Sequence, residues 1–134
     1  MKISRRKRNS IYFILLCTII LAAWTVWGNK ALMVSTISIS STHIPAAFSG
    51  FRIAQVSDLH NSEFGKNNTE LLKLLSESRP DIIAITGDLI DANHTDVGIA
   101  LGFAQESVRI APTYYATGNH EAASPQYDTL KAGL

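Results

Sequence analysis

The sequence has little cysteine and no glycine-rich phosphate loop, and these absences exclude several kinds of function. Its single cysteine, Cys17, lies in an apolar run near the N-terminus, so a disulfide framework is excluded and a thiol nucleophile is not expected. Without a phosphate loop or a usable cysteine, a nucleotide-binding or redox α/β domain is disfavoured. No basic stripe with interleaved aromatic residues is present, so we expect no nucleic-acid partner.

Acidic residues are missing from the N-terminal part of the chain, where all charge is positive. Residues 1–30 carry six basic side chains and no acidic one, whereas the remaining residues carry six basic and eleven acidic ones. The chain of 134 residues has room for at most one domain beyond this segment. Its body is mildly acidic and therefore offers no electrostatic attraction to a polyanion.

Charge is also missing from residues 11–27, which closely follow the basic residues 5–8. This run of 17 residues is near the shortest length that crosses a bilayer as a helix. Trp24 and Trp27 are suited to the membrane interface at its far end. An uncleaved anchor and a cleaved signal peptide both fit the pattern, and the lack of a small-x-small cleavage site favours the anchor.

The positive charges predict the orientation of this segment. Five basic residues precede the apolar run and only Lys30 follows it closely, which places the N-terminus in the cytoplasm. We therefore expect a single-pass protein of the cell membrane, with residues 1–30 forming a basic region and an anchor. Residues 31–134 then form a folded part on the extracytoplasmic side.

The rest of the chain alternates β-type runs with amphipathic stretches. We predict strands at residues 34–40, 51–57, 81–86 and 113–117, and helices after residue 66, after residue 94 and from residue 127. The order strand, helix, strand, helix, strand predicts an α/β fold with a mainly parallel sheet. The nearly continuous apolar run at 81–86 is typical of a central strand that is covered on both faces.

Local signals set the limits of the predicted helices. The spacing of Asn67 and Glu70 is that of a capping box, and Pro80 ends the helix after an extended Arg79. Thr95 or Asp96 is expected to cap the second helix. The apolar side of that helix is predicted to contain the residues Val97, Ala100, Leu101, Phe103, Ala104 and Val108.

Polar residues follow three of the predicted strands. The stretches are Ser57-Asp58-Leu59-His60, Gly87-Asp88-Leu89-Ile90-Asp91 and Gly118-Asn119-His120-Glu121. In parallel sheets, ligands gather beyond the carboxyl ends of the strands. Asp58 and His60 are ligand types for a divalent metal, and in an extended segment they point to the same side. The three stretches together predict a metal-dependent hydrolytic site.

The chemistry of these residues predicts a different role for each of them. Gly87 lets the chain turn sharply, so that Asp88 presents a second carboxylate capable of bridging two cations. Two ions about 3.5–4 Å apart clamp the attacking and leaving oxygens of a phosphoryl displacement. Asn119 offers an amide oxygen as a further ligand. His120 is free to contact the phosphate and protonate the leaving oxygen, and Asp91 is placed to hold the His120 imidazole in the right tautomer.

In this order and spacing, the three stretches resemble those of the calcineurin-like metallophosphoesterase superfamily, over about residues 51–121. The resemblance implies a two-metal phosphoesterase with a β-sandwich flanked by helices. The positions that match metal ligands are Asp58, His60, Asp88 as the bridge and Asn119, and His120 with Asp91 matches the proton donor and its partner. The N-terminal anchor is similar to that of the membrane-associated bacterial branch. Ala92 stands where the protein Ser/Thr phosphatases carry arginine, which argues against that branch.

The family completes its metal sites with further histidines, including a Gly-His-x-His stretch, and no histidine follows His120 here. We therefore expect residues 31–134 to be the N-terminal part of a longer phosphoesterase domain. Two alternatives stay open. One is a membrane-anchored enzyme that hydrolyses phosphomonoesters or phosphodiesters, lipid-like or envelope-linked ones included, with two divalent ions of Mn, Fe or Zn. The other is a catalytically incomplete, membrane-tethered remnant. His43 and His94 are interpreted as surface histidines.

Overall fold

The computed structural model describes residues 4–134, apart from the side chains of residues 26, 27, 29 and 30. The expectations for Lys2, and for the side chains of Trp27 and Lys30, lie outside the described part. The chain divides into two compact units, Met1–Met33 and Val34–Leu134.

The first unit is built on one helix, α1, which spans Arg5–Lys30. At about 1.5 Å per residue it is about 39 Å long, which exceeds the hydrocarbon core of a bilayer. Its stretch Arg5–Thr25, with a mean hydropathy of 1.4, is long and apolar enough to cross a membrane. Length and composition of this kind are common to membrane anchors and signal sequences. The hydroxyls of Thr18 and Thr25 donate to carbonyl oxygens one turn earlier, so neither needs a partner from outside the helix.

The strand predicted for residues 34–40 is wrong. This segment forms neither helix nor strand, and Val34, Ile37 and Ile39 are exposed. A strand needs a neighbour to pair its N–H and C=O groups. Within residues 4–134, the sheet does not include this segment.

The second unit contains a three-stranded sheet, and its parallel arrangement is as predicted. Its strands are β1 (Ile53–Val56), β2 (Ile82–Thr86) and β3 (Thr113–Ala116), in the spatial order β1-β2-β3. Both pairings are parallel, and Ile85 lies opposite Val56 on one side and Tyr115 on the other. All three strands therefore end at the same edge of the sheet.

A core on one face of the sheet includes side chains from three of the four helices of this unit. The helices are α2 (Thr69–Ser78), α3 (Val97–Ile110), α4 (Asn119–Ala123) and α5 (Tyr127–Gly133), with short 3-10 turns at Ala46–Phe48 and Lys66–Asn68. The core joins Ile83 and Ile85 of β2 to Phe103 of α3 and Leu130 of α5. The other face is more open, since Ile82 and Ala84 of β2 are only half-buried. The prediction that β2 is covered on both faces is therefore wrong for the described residues.

The start of α2 differs from its prediction. Asn67 and Asn68 both have a left-handed backbone, with φ of 55° and 59°, and α2 begins at Thr69 without a side-chain cap. Asn68 is buried, and its side-chain oxygen accepts a hydrogen bond from the backbone N–H of Phe64 at 2.9 Å. The capping box is wrong because asparagine tolerates the left-handed region and is used here to fix a turn. Arg79 is also left-handed rather than extended.

The start of α3 is as predicted. Asp96 accepts hydrogen bonds from the backbone N–H groups of Gly98 and Ile99, at 2.9 and 3.2 Å. The helix ends at Ile110, before Pro112. Phe103 is buried, as expected, but Val108 is 58% exposed, so its place on the apolar side is wrong.

Candidate metal centre

The loops that follow β1 and β2 lie side by side and are joined through their backbones. The N–H of His60 donates to the carbonyl oxygen of Asp88 at 2.8 Å, and the N–H of Asn61 donates to that of Leu89 at 3.1 Å. The two strands are parallel neighbours, so their carboxyl ends lie together. The predicted motif residues are thereby brought to one edge of the sheet.

The backbone at this edge is left-handed at several positions. Asp58, His60 and Asp88 have φ of 55°, 46° and 49°. Each such residue costs roughly 1–3 kcal/mol, and strain of this kind is concentrated at functional sites. The extended geometry predicted for Asp58 and His60 is therefore wrong, although a tight turn brings the two side chains together all the same.

Asp58, His60 and Asp88 form one group of ligand atoms. One atom from each residue lies within 4.8 Å of the other two. Nε2 of His60 is 3.9 Å from Oδ1 of Asp58 and 3.9 Å from Oδ2 of Asp88. These distances are too long for hydrogen bonds, but two atoms bound to one cation at about 2.0–2.2 Å lie up to about 4 Å apart. The donor set therefore fits a divalent metal ion.

His60, Asp91 and His120 form a second group, which shares His60 with the first. Oδ2 of Asp91 is 4.0 Å from Nδ1 of His60 and 3.8 Å from Nδ1 of His120. The two imidazole rings meet edge to face, with centroids 4.4 Å apart. Nδ1 of His60 is buried and has no hydrogen-bond partner within residues 4–134. His60 thus faces Asp58 and Asp88 with Nε2 and Asp91 with Nδ1.

Asp91 is held in its ionised form by its own loop. Backbone N–H groups of Asn93 and His94 donate to Oδ1 at 2.8 and 2.9 Å, and they lower the pKa of Asp91 below its usual value. His94 is largely exposed, with Nδ1 3.7 Å from the same oxygen. His43 is exposed as well.

The ring of His120 is oriented by a backbone contact. The N–H of Ala92 donates to Nδ1 of His120 at 3.0 Å, and this acceptor role leaves the proton of the neutral ring on Nε2. Asp91, at 3.8 Å, is too far away for a hydrogen bond to the same nitrogen. The expected role of Asp91 in setting the tautomer stays a prediction.

Glu121 is a buried residue of the site that the sequence reasoning missed. One carboxylate oxygen accepts from the N–H groups of Gly118, at 2.7 Å, and Asp88, at 2.9 Å, and the other accepts from Ile90 at 3.1 Å. Burial raises the pKa of Glu121, but the backbone hydrogen bonds outweigh this effect and leave the pKa below its usual value. Its position three residues after Gly118, at the third residue of α4, is the sequence signal that could have found it.

Two glycines allow the loops after β2 and β3 to touch. Gly87 has a φ of 84°, and a Cβ there would lie 3.1 Å from the Cα of Gly118. A Cβ at Gly118 would overlap the carboxylate and the backbone N of Asp88. Asn119, the next residue, begins α4 and is exposed.

Asn61 is a second residue that the sequence reasoning missed. Its side-chain oxygen accepts from the N–H groups of Asp91, at 2.9 Å, and Asp96, at 3.1 Å, and its amide donates to the carbonyl oxygen of Asp96 at 2.6 Å. The loop that carries Asp91 is therefore tied to the loop after β1. No pattern in the sequence marks this role.

Comparison with known proteins identifies one matching family and several relatives. A family model described as calcineurin-like phosphoesterase matches residues 51–133. An uncharacterised metallophosphoesterase of Campylobacter jejuni, Cj0846, is 30% identical over 128 residues, which are 86% of this chain and 33% of that protein. The uncharacterised metallophosphoesterase YkuE of Bacillus subtilis is 41% identical over 56 residues, covering 40% of this chain and 20% of YkuE.

A vertebrate protein is similar over much of the chain as well. A Danio rerio protein named as a transmembrane protein with a metallophosphoesterase domain is 30% identical over 113 residues, which are 79% of this chain and 26% of that protein. The chain thus spans about a third or less of the length of these relatives. No solved structure matches it.

Proposed function

The chain belongs to the calcineurin-like phosphoesterase family, and from this premise we propose that it serves metal-dependent hydrolysis of phosphoesters at a membrane. Phosphoester hydrolysis with divalent metals is the general chemistry of the family. The observation that carries the proposal is the convergence of Asp58, His60 and Asp88, whose ligand atoms lie within 4.8 Å of one another. An α/β fold could bury or disperse such residues, and here they share one sheet edge.

In the proposed site, Asp58, His60, Asp88 and Asn119 would hold two divalent ions of Mn, Fe or Zn, and Asp88 would be the ligand that both share. Bound ions of this kind act as Lewis acids and lower the pKa of a bound water toward neutrality. Asp88 is suited to the central place because it lies between the other two loops. Its N–H is held by Glu121, and its Oδ1 accepts from the N–H of His120 at 2.9 Å.

His120 is proposed as the group that contacts the phosphate and gives its proton to the leaving oxygen. The Ala92 contact to Nδ1 supports the contact with the phosphate, because it leaves an N–H at Nε2 that can donate a hydrogen bond to a phosphate oxygen. Asp91 is proposed as the partner of His120, with its carboxylate 3.8 Å from Nδ1 of that ring. Transfer of the Nε2 proton to the leaving oxygen would start from the imidazolium form of the ring, in which Nδ1 also carries a proton, and would leave the ring neutral.

The proposed membrane location rests on two observations, the apolar helix α1 and the name of a relative. α1 contains a stretch long enough to span a bilayer, and the Danio rerio relative is named a transmembrane protein. We place the N-terminus in the cytoplasm and the phosphoesterase unit outside, as a single-pass protein of the cell membrane. We propose that the substrate is a phosphomonoester or phosphodiester of a lipid or of the cell envelope, because such esters lie nearest to a membrane-anchored unit.

Hydrolysis of an aryl phosphodiester and an aryl phosphomonoester by the chain in detergent with Mn²⁺ tests the proposal. Loss of a residue that only supports a metal ligand typically reduces activity by about ten- to a hundredfold. Asp88→Asn removes a proposed ligand itself and should reduce the rate of hydrolysis by more than this. Asp81→Asn is the matched control, because Asp81 accepts from the N–H of Arg52 at the opposite end of β2, and its rate should stay unchanged.

Two results would contradict the proposal. One is hydrolysis that does not change in Asp88→Asn. The other is a chain that neither hydrolyses the esters nor binds Mn²⁺ in a calorimetric titration, which would support the alternative of a catalytically incomplete, membrane-tethered remnant.

A further inference from the structure

Glu121 lies at the point where the loops after β2 and β3 meet. Its side chain is fully buried, and within residues 4–134 it forms no ion pair with a basic side chain. The charge is instead compensated by backbone N–H groups, two of them from the loop after β2 and one from Gly118. A buried carboxylate is tolerated only when its oxygens accept hydrogen bonds in this way. The position of the Glu121 carboxylate therefore depends on how the two loops are placed relative to each other.

The same contacts hold the backbone at or next to two proposed metal ligands. Asp88 is held at its N–H by Glu121, while its own Oδ1 accepts from the N–H of His120, so each loop holds the other. Gly118, whose N–H is bound by Glu121 at 2.7 Å, directly precedes Asn119. Without the carboxylate of Glu121, the backbone that carries Asp88 and the backbone that carries Asn119 lose their common acceptor.

We propose that Glu121 is a positioning residue of the metal centre, which sets the placement of Asp88 and Asn119 without contacting the metal. The inference rests on the proposed function, since it takes these two residues as ligands. A merely structural Glu121 would support the stability of the fold but would not affect how tightly the folded protein binds metal. The two roles therefore differ in one measurable quantity, the metal affinity of the folded protein.

The experiment measures Mn²⁺ affinity by titration calorimetry on the whole chain in detergent, with folding checked by circular dichroism. Glu121→Gln preserves the volume but turns an N–H₂ donor toward one of the backbone N–H groups. We expect its dissociation constant for Mn²⁺ to rise by about ten- to a hundredfold. The visible spectrum of bound Co²⁺, which reports the coordination geometry, should change as well.

Two further variants separate charge from position. Glu121→Asp retains the charge but is one methylene shorter, so it reaches fewer of the three N–H groups and should give an intermediate affinity. Asp81→Asn removes a carboxylate that accepts from the N–H of Arg52 at 2.7 Å, away from the metal centre. Its Mn²⁺ affinity and its Co²⁺ spectrum should match those of the wild type.

Folded Glu121→Gln that binds Mn²⁺ as the wild type does would overturn the positioning role. Wild-type protein that binds no Mn²⁺ would count against the proposed function instead. If neither Glu121 variant folds, hydrogen exchange on the wild type decides. The N–H groups of Asp88, Ile90 and Gly118 should exchange slowly with solvent, and Mn²⁺ should slow their exchange further. Rapid exchange, or an exchange rate that does not change with Mn²⁺, would overturn the inference.

Discussion

The residues of the metal centre are held in place mainly by contacts to backbone. Glu121 and Asn61 accept from N–H groups of the loop after β2, and Ala92 donates to the ring of His120. Contacts of this type fix loops whose left-handed backbone is intrinsically unfavourable. The geometry of the candidate metal ligands therefore depends on backbone contacts that neighbouring residues make.

Gly118 gives a direct test of how closely the two loops approach. Gly118→Ala should destabilise the fold by about 1–3 kcal/mol, because its Cβ would overlap the carboxylate and the backbone N of Asp88. Denaturant unfolding measures the change, and Mn²⁺ titration should show weaker binding.

Gly102→Ala is the matched control for this substitution. Gly102 lies inside α3, where a Cβ would meet no atom within 4 Å, so the alanine should stabilise the protein by about 0.5–1 kcal/mol. Equal effects of the two variants would show that the loops after β2 and β3 do not approach as closely as described.

At the scale of residues, the sequence alone indicated the candidate site residues that a local pattern marks. Asp58, His60 and Asp88 follow apolar runs, and their convergence could be predicted from the parallel order of the strands. Asn61 could not be found in the same way, because it binds N–H groups 30 or more residues away in the chain. For Glu121, the spacing from Gly118 marks the capping contact but not the contacts to Asp88 and Ile90. Such partners are known only once the loops are placed.

At the scale of elements, the strand–helix alternation was predictable and several boundaries were not. The apolar runs gave β1, β2 and β3, and Pro112 gave the end of α3. The two asparagines before α2 were misread, since asparagine serves both as a cap and as a left-handed turn residue. Residues 34–40 have the alternation of a strand, but pairing depends on a neighbour that local pattern does not reveal.

The N-cap of α3 should contribute measurably to stability. Asp96→Ala removes an acceptor for the N–H groups of Gly98 and Ile99, and we expect a loss of about 1 kcal/mol in the free energy of unfolding. Glu106→Ala is the control on the same helix. It breaks an exposed ion pair with Arg109 and should cost less than about 0.5 kcal/mol. A larger loss for Glu106→Ala would contradict the capping role.

The two faces of α3 should differ strongly in their response to truncation. Phe103→Ala removes a side chain that is 1% exposed and should cost about 3–5 kcal/mol. Val108→Ala removes one that is 58% exposed and should change the stability by less than about 0.5 kcal/mol. Urea unfolding of both variants measures the contrast. A cost above about 1 kcal/mol for Val108→Ala would restore the sequence-based assignment of Val108 to the apolar side.

At the scale of the whole molecule, the chain combines one apolar helix with a folded unit whose polar centre lies at a sheet edge. Within the described residues, α2, α3 and α5 contribute to a core on one face of that sheet, while Ile53 and Tyr114 on the other face are 62% and 63% exposed. The sequence predicted the helix from composition, and the structure extends it from residues 11–27 to Arg5–Lys30. The added residues include the basic residues 5–8, so they lengthen the helix but not its apolar run.

The apolar helix should hold the protein in the membrane. After expression in bacteria, the chain should stay in the membrane fraction through an alkaline carbonate wash and should retain its full mass, as an uncleaved anchor requires. Replacing Leu15 and Leu16 by arginine should release it, because each arginine near the centre of a span costs about 2.5–3.5 kcal/mol. Ile37→Arg is the control, since Ile37 is exposed and lies outside α1. Release of the wild type by the wash, or loss of the mass of α1, would instead favour a cleaved signal peptide.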